Sequence, residues 1–92
     1  MRRAPRLPTA LAERIRRLHP NIKRKVRAAV DLLAEDATTG KPLQDDLAGL
    51  WSLRIGKFRL IYRFTAEQIE LVTFGPRERI YEETRRLISR TK

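Results

Sequence analysis

Cysteine is absent from the 92 residues, and histidine occurs only once, at His19. The first absence excludes disulfides and thiolate metal sites, and the second excludes any mechanism that needs a pair of histidines. Long apolar runs are also missing, since none approaches the ~20 residues that a membrane-spanning helix needs. Residues 1–10 contain arginines but no apolar stretch like that of a signal peptide. The sequence therefore predicts a cytoplasmic protein.

Acidic residues are few compared with basic ones. Eleven Asp and Glu stand against 21 Lys and Arg, which leaves a net charge of +10 and a pI near 11.2. Such an excess repels itself in a compact fold and favours a polyanionic partner. Nucleic acid is the first candidate and a membrane surface the second, although a basic surface can also serve solubility alone. The length allows one domain, which we assign to residues 1–92.

The front half of the sequence has helical periodicity. Pro8 to Leu18 carries apolar residues at helical spacing, and His19-Pro20-Asn21 interrupts it because the residue before a proline avoids helical geometry. A second helix is expected to run to about Glu35. Two helices joined by a tight turn predict a helical hairpin. The apolar stripe of the second helix comprises Ile22, Val26, Ala29, Val30 and Leu33.

The back half changes to a period of two residues after a predicted loop at Ala37–Leu50. Alternating apolar residues predict three strands, at Trp51–Ile55, Phe58–Phe64 and Ile69–Phe74. The first two strands are joined by Gly56-Lys57, a two-residue connection with glycine first, as a type II′ turn requires. The pattern therefore predicts an antiparallel meander.

The last predicted element is a helix from about Arg77, whose inner stripe is Ile80, Thr84, Leu87 and Ile88. Helices followed by strands indicate an α+β fold. We expect the helical hairpin to pack on one face of the three-stranded sheet, with a short fourth strand at Arg2–Ala4 if a sheet edge tolerates Pro5. The predicted core joins Trp51, Leu53, Phe58, Leu60 and Tyr62 to Ile22, Val26, Ala29 and Leu33.

Strand alternation also groups three arginines. If the even positions of Phe58–Phe64 face the helices, Arg59 and Arg63 face the open side of the sheet, and Arg54 joins them from the neighbouring strand. A solvated outer face is the plain alternative, with Glu70 as the nearest candidate partner. The scarcity of acidic residues on these strands favours an anion-binding face instead.

Arg77 and Tyr81 add to this set. Arg77 stands where the third strand passes into the last helix, and helix N-termini favour anions. Tyr81 lies one helical turn further on, so it can share the face of Arg77. The alternative role for Tyr81 is a core residue.

The sequence gives little support for a metal or cofactor site. Glu78 and Glu82 could hold Mg²⁺ together with Asp45 or Asp46, but a helical ion pair between Glu82 and Arg86 explains this helix more simply. His19, beside Pro20, is expected to be a local cap or a surface residue. No phosphate-binding glycine loop, nucleophile elbow or zinc spacing occurs. We therefore predict no metal and no small-molecule cofactor.

The stretches Gly40–Leu43, Leu47–Arg63 and Gly75–Tyr81 stand in an order that resembles the RelE/StbE branch of the RelE–ParE toxin superfamily. The resemblance covers roughly residues 11–88, and the central hairpin is its most specific part. Two positions depart from the pattern: Ser52 stands where some relatives have lysine, and Pro76 where many have histidine.

The resemblance implies a RelE-like fold and a toxin of a type II toxin–antitoxin system. Such toxins enter the ribosomal A site and cut mRNA there, and a small antitoxin protein neutralises them. It implies that Arg54 and Arg59 are the basic strand residues of the RNA site. Arg77 and Tyr81 match the arginine and the tyrosine of the terminal motif.

A metal-independent endoribonuclease can use the 2′-hydroxyl of RNA as the nucleophile. Arginines suit the neutralisation of the phosphorane, because the guanidinium is planar and stays charged. A tyrosine can move a proton or stack on a base. We therefore predict two sets of site residues: Arg59, Arg77 and Tyr81 as catalytic, and Arg54, Arg63, Arg79 and Lys57 as RNA-binding.

Two other functions remain open at this point. A ParE-like toxin, which inhibits a gyrase and cuts no RNA, would share the same fold. A non-catalytic nucleic-acid-binding protein could use the helical hairpin as a helix-turn-helix, with Lys23, Arg24 and Arg27 on phosphates. Polar residues that read base edges are nearly absent from that helix, which counts against the second alternative.

Overall fold

The computed structural model describes residues 2–90, except for the side chain of Arg90. Three helices and five strands follow one another within these described residues, with short 3-10 turns at Ala37–Thr39 and Asp45–Leu47. The helices are α1 (Thr9–Arg16), α2 (Pro20–Glu35) and α3 (Arg77–Arg90). The strands are β1 (Ala4–Arg6), β2 (Lys41–Pro42), β3 (Trp51–Ile55), β4 (Phe58–Phe64) and β5 (Gln68–Pro76).

The strands form a single sheet in the order β1-β5-β4-β3-β2, in which only β1 runs parallel to its neighbour. The predicted α+β fold and central meander are confirmed. The N-terminal strand exists two residues later than expected, and its Pro5 sits on a sheet edge, where a missing N–H does no harm. β2 is an additional edge strand inside the predicted loop, paired with Ser52 and Trp51 of β3.

The β3–β4 hairpin follows the predicted geometry. Ile55 pairs with Phe58, so Gly56 and Lys57 alone form the connection. Gly56 has a φ of 60°, and the other turn residue has a negative φ, as a type II′ turn requires. This register places Arg54 directly opposite Arg59.

The predicted core lies between the sheet and the pair α1 and α2. Leu33, Leu60 and Tyr62 are fully buried there. The Tyr62 hydroxyl donates to the carbonyl of Ala37 at 2.6 Å and accepts from the amide of Gly40 at 3.1 Å. Tyr62 therefore ties the turn after α2 to the middle of the sheet.

The opposite face of the sheet is not open, contrary to expectation. Ile61 of β4 is fully buried there and clusters with Ile80 of α3 and with Leu47 and Leu50 from the segment before β3. A second, smaller core therefore holds α3 against the sheet. Of the expected inner stripe of α3, Ile80 and Thr84 are fully buried, but Leu87 is 38% exposed.

His19 is the N-cap of α2, as the prediction of a local cap allowed. Its Nδ1 accepts a hydrogen bond from the amide of Asn21 at 3.1 Å, and Pro20 follows at the first helical position. Within residues 2–90, no helix is both long enough and apolar enough to cross a bilayer.

Candidate nucleic-acid interface

Arg54 and Arg59 form the centre of the candidate site. They are a directly opposed pair on neighbouring strands, and alternation along β4 puts them on the same face as the buried Ile61 and hence as α3. Like charges directly opposite in a sheet are destabilising. The Arg54 Nε makes a long contact of 3.4 Å with the carbonyl of Gly56, and no described carboxylate pairs with either guanidinium.

Arg77 joins this pair at the same end of the sheet. It is the first residue of α3 and directly follows β5, whose Gly75 lies opposite Arg59. The Arg77 amide donates to the carbonyl of Lys57 at 3.2 Å, which fastens the start of α3 to the β3–β4 turn. Its exposed side chain has no ion pair in the part of the chain described. Three neighbouring elements thus bring three uncompensated arginines to one region.

Tyr81 is half-buried and packs against the smaller core. That core includes Ile61, which lies two residues from Arg59 on the same face of β4. Among the described residues, the Tyr81 hydroxyl has no hydrogen-bond partner. The ring is therefore held by packing, and no hydrogen bond of the hydroxyl contributes to the fold of the described residues.

Arg63 differs from Arg59, although both lie on the same face of β4. The guanidinium of Arg63 binds the carboxylate of Glu70 through Nε at 3.2 Å and Nη2 at 2.7 Å. Glu70 is the cross-strand neighbour of Arg63 on β5, as the sequence indicated. The guanidinium of Arg63 is therefore engaged in an ion pair within the fold.

The remaining predicted RNA-binding residues lie close to the site in sequence. Lys57 is exposed in the β3–β4 turn. Arg79 is exposed on the first turn of α3 and lines a cavity of about 200 Å³ with Phe58, Phe74 and Glu83. The structure thus directs Arg79 toward the outer edge of β5.

Ser52 and Pro76, where the sequence departs from the RelE pattern, occupy unlike environments. Ser52 is 3% exposed beside β2, and its hydroxyl has no hydrogen-bond partner among the described residues. Pro76 ends β5 opposite Phe58.

The outer edge of β5 contains an ion pair that the sequence reasoning missed. Because β1 pairs only with residues 68–70, the carbonyl of Phe74 lies on a free edge, where it accepts from Arg14 at 2.9 Å. Arg14 also lies 3.8 Å from the carboxylate of Glu83 on α3. Glu83 is close to Gly75, since a Cβ built there would stand 3.6 Å from its Oε2. No sequence pattern relates residues this far apart.

The acidic residues considered as metal ligands are dispersed. Asp46 binds Arg85 at 2.8 Å, and Glu82 binds Arg86 at 3.2 Å, the helical pair that the sequence indicated. Among residues 2–90, no three His, Asp or Glu side chains group into a set that could hold an ion.

Comparison with known proteins now adds to this geometry. The family model described as ParE toxin of type II toxin–antitoxin systems matches residues 6–81. The chain belongs to this family. The toxin is 45% identical over 42 residues to Toxin RelG of Mycobacterium tuberculosis, a match that covers 46% of this chain and 48% of that protein. The match thus spans about half the length of this curated relative.

Solved structures extend the likeness to most of the toxin. The RelBE2 toxin–antitoxin complex of M. tuberculosis contains a chain with 28% identity and a TM-score of 0.74, which covers 84% of this toxin and 100% of that chain. A mutant of the E. coli toxin RelE in the free state superimposes with a TM-score of 0.73 at 15% identity, covering 94% and 97% of the two chains. The RelE-like fold predicted from the sequence is confirmed.

Proposed function

We propose that this toxin is a ribosome-dependent, metal-independent endoribonuclease that cuts mRNA. The observation that carries the proposal is the cluster of Arg54, Arg59 and Arg77, which has no carboxylate partner within the described chain. Neighbouring guanidiniums repel one another unless an anion lies among them. A phosphodiester fits, because its oxygens match the planar fork of arginine.

The reaction we assign begins with the 2′-hydroxyl of the RNA. Its oxygen loses its proton and attacks the adjacent phosphorus, and the bond from phosphorus to the 5′-oxygen breaks. The leaving 5′-oxygen takes up a proton, so that a 2′,3′-cyclic phosphate and a 5′-hydroxyl result. Arg59 and Arg77 neutralise the charge that develops on the phosphorane, because fixed donors aimed at such charge are usually the largest catalytic contribution. Tyr81 moves a proton or stacks on a base.

We assign the flanking phosphates to Arg54 and Lys57, which are exposed, and to the exposed Arg79 only for RNA that continues past the outer edge of β5. We give Arg63 no phosphate in this proposal, because Glu70 already holds its guanidinium. We place the reaction on mRNA in the ribosomal A site, in the cytoplasm.

We also propose a cognate antitoxin protein as the partner of this toxin. The solved relatives support this partner, since one is the M. tuberculosis RelBE2 toxin–antitoxin complex and another an archaeal RelE–RelB complex from Pyrococcus horikoshii.

The test is cleavage of ribosome-bound mRNA by the purified toxin, read by the chemistry of the ends. We expect a 5′-hydroxyl on the downstream fragment and no cleavage after a 2′-deoxynucleotide at the scissile position. Arg77→Ala should lower the single-turnover rate about 10²- to 10³-fold, as loss of one donor to a developing oxyanion does. A 5′-phosphate product, or cleavage that survives the 2′-deoxy substitution, would contradict this mechanism.

A second candidate, gyrase inhibition without RNA cleavage, is favoured by the name of the matched family, ParE. The two functions separate in a supercoiling assay. Under the ribonuclease proposal, gyrase keeps its activity at toxin concentrations that stop translation in a purified system. Supercoiling arrest with intact mRNA would select the gyrase candidate.

A further inference from the structure

The cavity of about 200 Å³ at the outer edge of β5 lies where α1 and α3 approach each other. Part of its lining is apolar and consists of Leu18, Phe58 and Phe74, and α3 contributes Arg79 and Glu83. Proteins bind single nucleobases with this combination of an aromatic ring, a guanidinium and a polar group that contacts the edge of the base. The ribonuclease proposal gives the cavity itself no role.

The carboxylate of Glu83 is the group in this cavity that can select a ligand. Its side chain is 34% exposed, and the carboxylate accepts no hydrogen bond from any described residue. Nη1 of Arg14 lies 3.8 Å away, which is beyond hydrogen-bonding distance, and this atom already donates to the carbonyl of Phe74 at 2.9 Å. The oxygens of Glu83 therefore keep their capacity to accept hydrogen bonds from a ligand.

The cavity adjoins the arginine cluster of the proposed active site. Gly75, which lines it, is paired with Arg59 of β4, so the space that a side chain of Gly75 would fill lies beside Arg59. A Cβ built on Gly75 would stand 3.6 Å from Oε2 of Glu83. Pro76, also in the lining, directly precedes Arg77. A nucleotide whose phosphate lies between Arg59 and Arg77 can therefore place its base in the cavity.

Guanine fits a carboxylate better than the other three bases do. Its Watson–Crick edge presents two neighbouring donors, N1–H and the N2 amino group, and the two oxygens of an ionised carboxylate only accept. Adenine and cytosine each have an acceptor nitrogen beside their amino group, and uracil has its N–H between two carbonyls. With each of these three bases, an oxygen of the carboxylate would face a lone pair, which selects against them.

We infer that this cavity binds the base of a nucleotide next to the cleaved phosphate and that Glu83 selects guanine there. The inference rests on the proposed function, since it names a substrate preference of that reaction. Phe58 supplies a surface for stacking, because its ring is half-buried, lines the cavity and stacks on Phe74 at 5.1 Å. Arg79, which has no ion pair in the described chain, binds the next phosphate.

The test is single-turnover cleavage of ribosome-bound mRNAs that differ in one base next to the cleaved bond, on either side of it. On one side, guanine should give a rate about 10- to 100-fold above that of the other bases, as a bidentate base contact provides. Inosine lacks the N2 amino group and should lose about three- to tenfold of this advantage. Glu83→Gln replaces one acceptor by a donor, so adenine should then be cleaved at least as fast as guanine.

Two control variants separate base selection from a structural role of Glu83. Glu82 is its neighbour on α3, pairs with Arg86 and does not line the cavity, so Glu82→Gln should keep the guanine preference. Arg14→Leu removes the ion pair but leaves the carboxylate, so this variant should also prefer guanine. The inference is overturned if Glu83→Gln keeps the guanine preference, or if it slows all four bases equally, as a loss of α3 packing would.

A binding experiment separates this inference from the ribonuclease proposal. The probe is a labelled pentanucleotide with 2′-O-methyl sugars, which cannot be cut because its nucleophile is blocked, and its central base among uracils is guanine or adenine. Fluorescence anisotropy should show about tenfold tighter binding of the guanine probe, and Glu83→Gln should abolish this difference. Equal affinities for the two probes would overturn the inference, whether or not mRNA is cut. A guanine preference without any cleavage by the original toxin would overturn the ribonuclease proposal alone.

Discussion

Arg59 and Arg63 lie two residues apart on one face of β4, yet only Arg63 has a carboxylate partner. Their comparison separates a site residue from a structural one. Arg59→Ala should reduce cleavage about 10²- to 10³-fold if it stabilises the phosphorane. Arg63→Ala should keep full cleavage and lower the free energy of unfolding by at most about 1 kcal/mol, since the pair with Glu70 is exposed. Single-turnover rates measure the cleavage by each variant, and thermal unfolding measures its stability. Equal cleavage by the two variants would show that Arg59 is not part of the site.

Tyr81 allows a second experiment on one residue. Its ring packs against the smaller core, whereas its hydroxyl has no partner among the described residues. Tyr81→Phe should therefore leave thermal stability unchanged and lower cleavage at least about 10²-fold if the hydroxyl moves a proton. If the ring only stacks, the Phe variant stays active and Tyr81→Ala does not. We expect the first result, and a fully active Phe variant would show it to be wrong.

Much at this scale could be predicted from the sequence. A two-residue turn at Gly56-Lys57 fixes the register, so Arg54 has to face Arg59, and alternation places both on the side away from α1 and α2. Arg63 lies beside Glu70 because Phe64 pairs with Ile69 next to the short β4–β5 turn. The pair between Arg14 and Glu83 could not be predicted, because it depends on how α1 and α3 reach the free edge of β5.

At the scale of elements, the turn at Ala37–Thr39 depends on Tyr62 of β4. Tyr62→Phe removes the hydroxyl that bonds Ala37 and Gly40 and leaves those backbone groups without their partner. The free energy of unfolding should fall by about 1–3 kcal/mol, while cleavage per folded molecule holds. Tyr81→Phe is the matched control in the same denaturant titration. An unchanged midpoint for Tyr62→Phe would show that water replaces both bonds.

The stability that Tyr62 provides to this element also depends on pH. Burial raises the pKa of the Tyr62 phenol above its ordinary value. The unfolded chain therefore loses this proton first, so stability from this group is intact below about pH 10 and declines as the pH rises above it. The stability of Tyr62→Phe should fall less steeply in that range, and parallel curves for the two proteins would contradict this.

There are physical reasons why the sequence patterns did not predict some elements. β2 consists of Lys41 and Pro42, neither typical of strands, and it pairs only along one edge. The second core could not be predicted, because Ile61 is the single apolar residue between the two arginines on that face of β4. β5 contains a bulge at Val72, since Ile61 pairs with Thr73 but Tyr62 with Leu71. The extra residue shifts the alternation, which a strict period of two cannot anticipate.

At the scale of the whole molecule, the charge of +10 predicts salt-sensitive RNA binding. Each phosphate contact releases counterions, so the logarithm of affinity should fall linearly with the logarithm of salt concentration. For a single-stranded RNA, Arg54→Ala should make this slope shallower by about 0.7, and Arg63→Ala should leave it unchanged. Fluorescence anisotropy at several salt concentrations measures both slopes. A slope near zero for the original toxin would contradict a phosphate-binding face.

The parallel pairing of β1 with β5 has a consequence for biosynthesis. Ala4 leaves the ribosome early, but its partner Gln68 follows only after most of the sheet has been translated. The first strand therefore waits unpaired, and the long loop has to close before this contact forms. Gly75, which faces Arg59, is made later still. The pairing that completes the sheet, and the strand residue that faces Arg59, therefore both come late in translation.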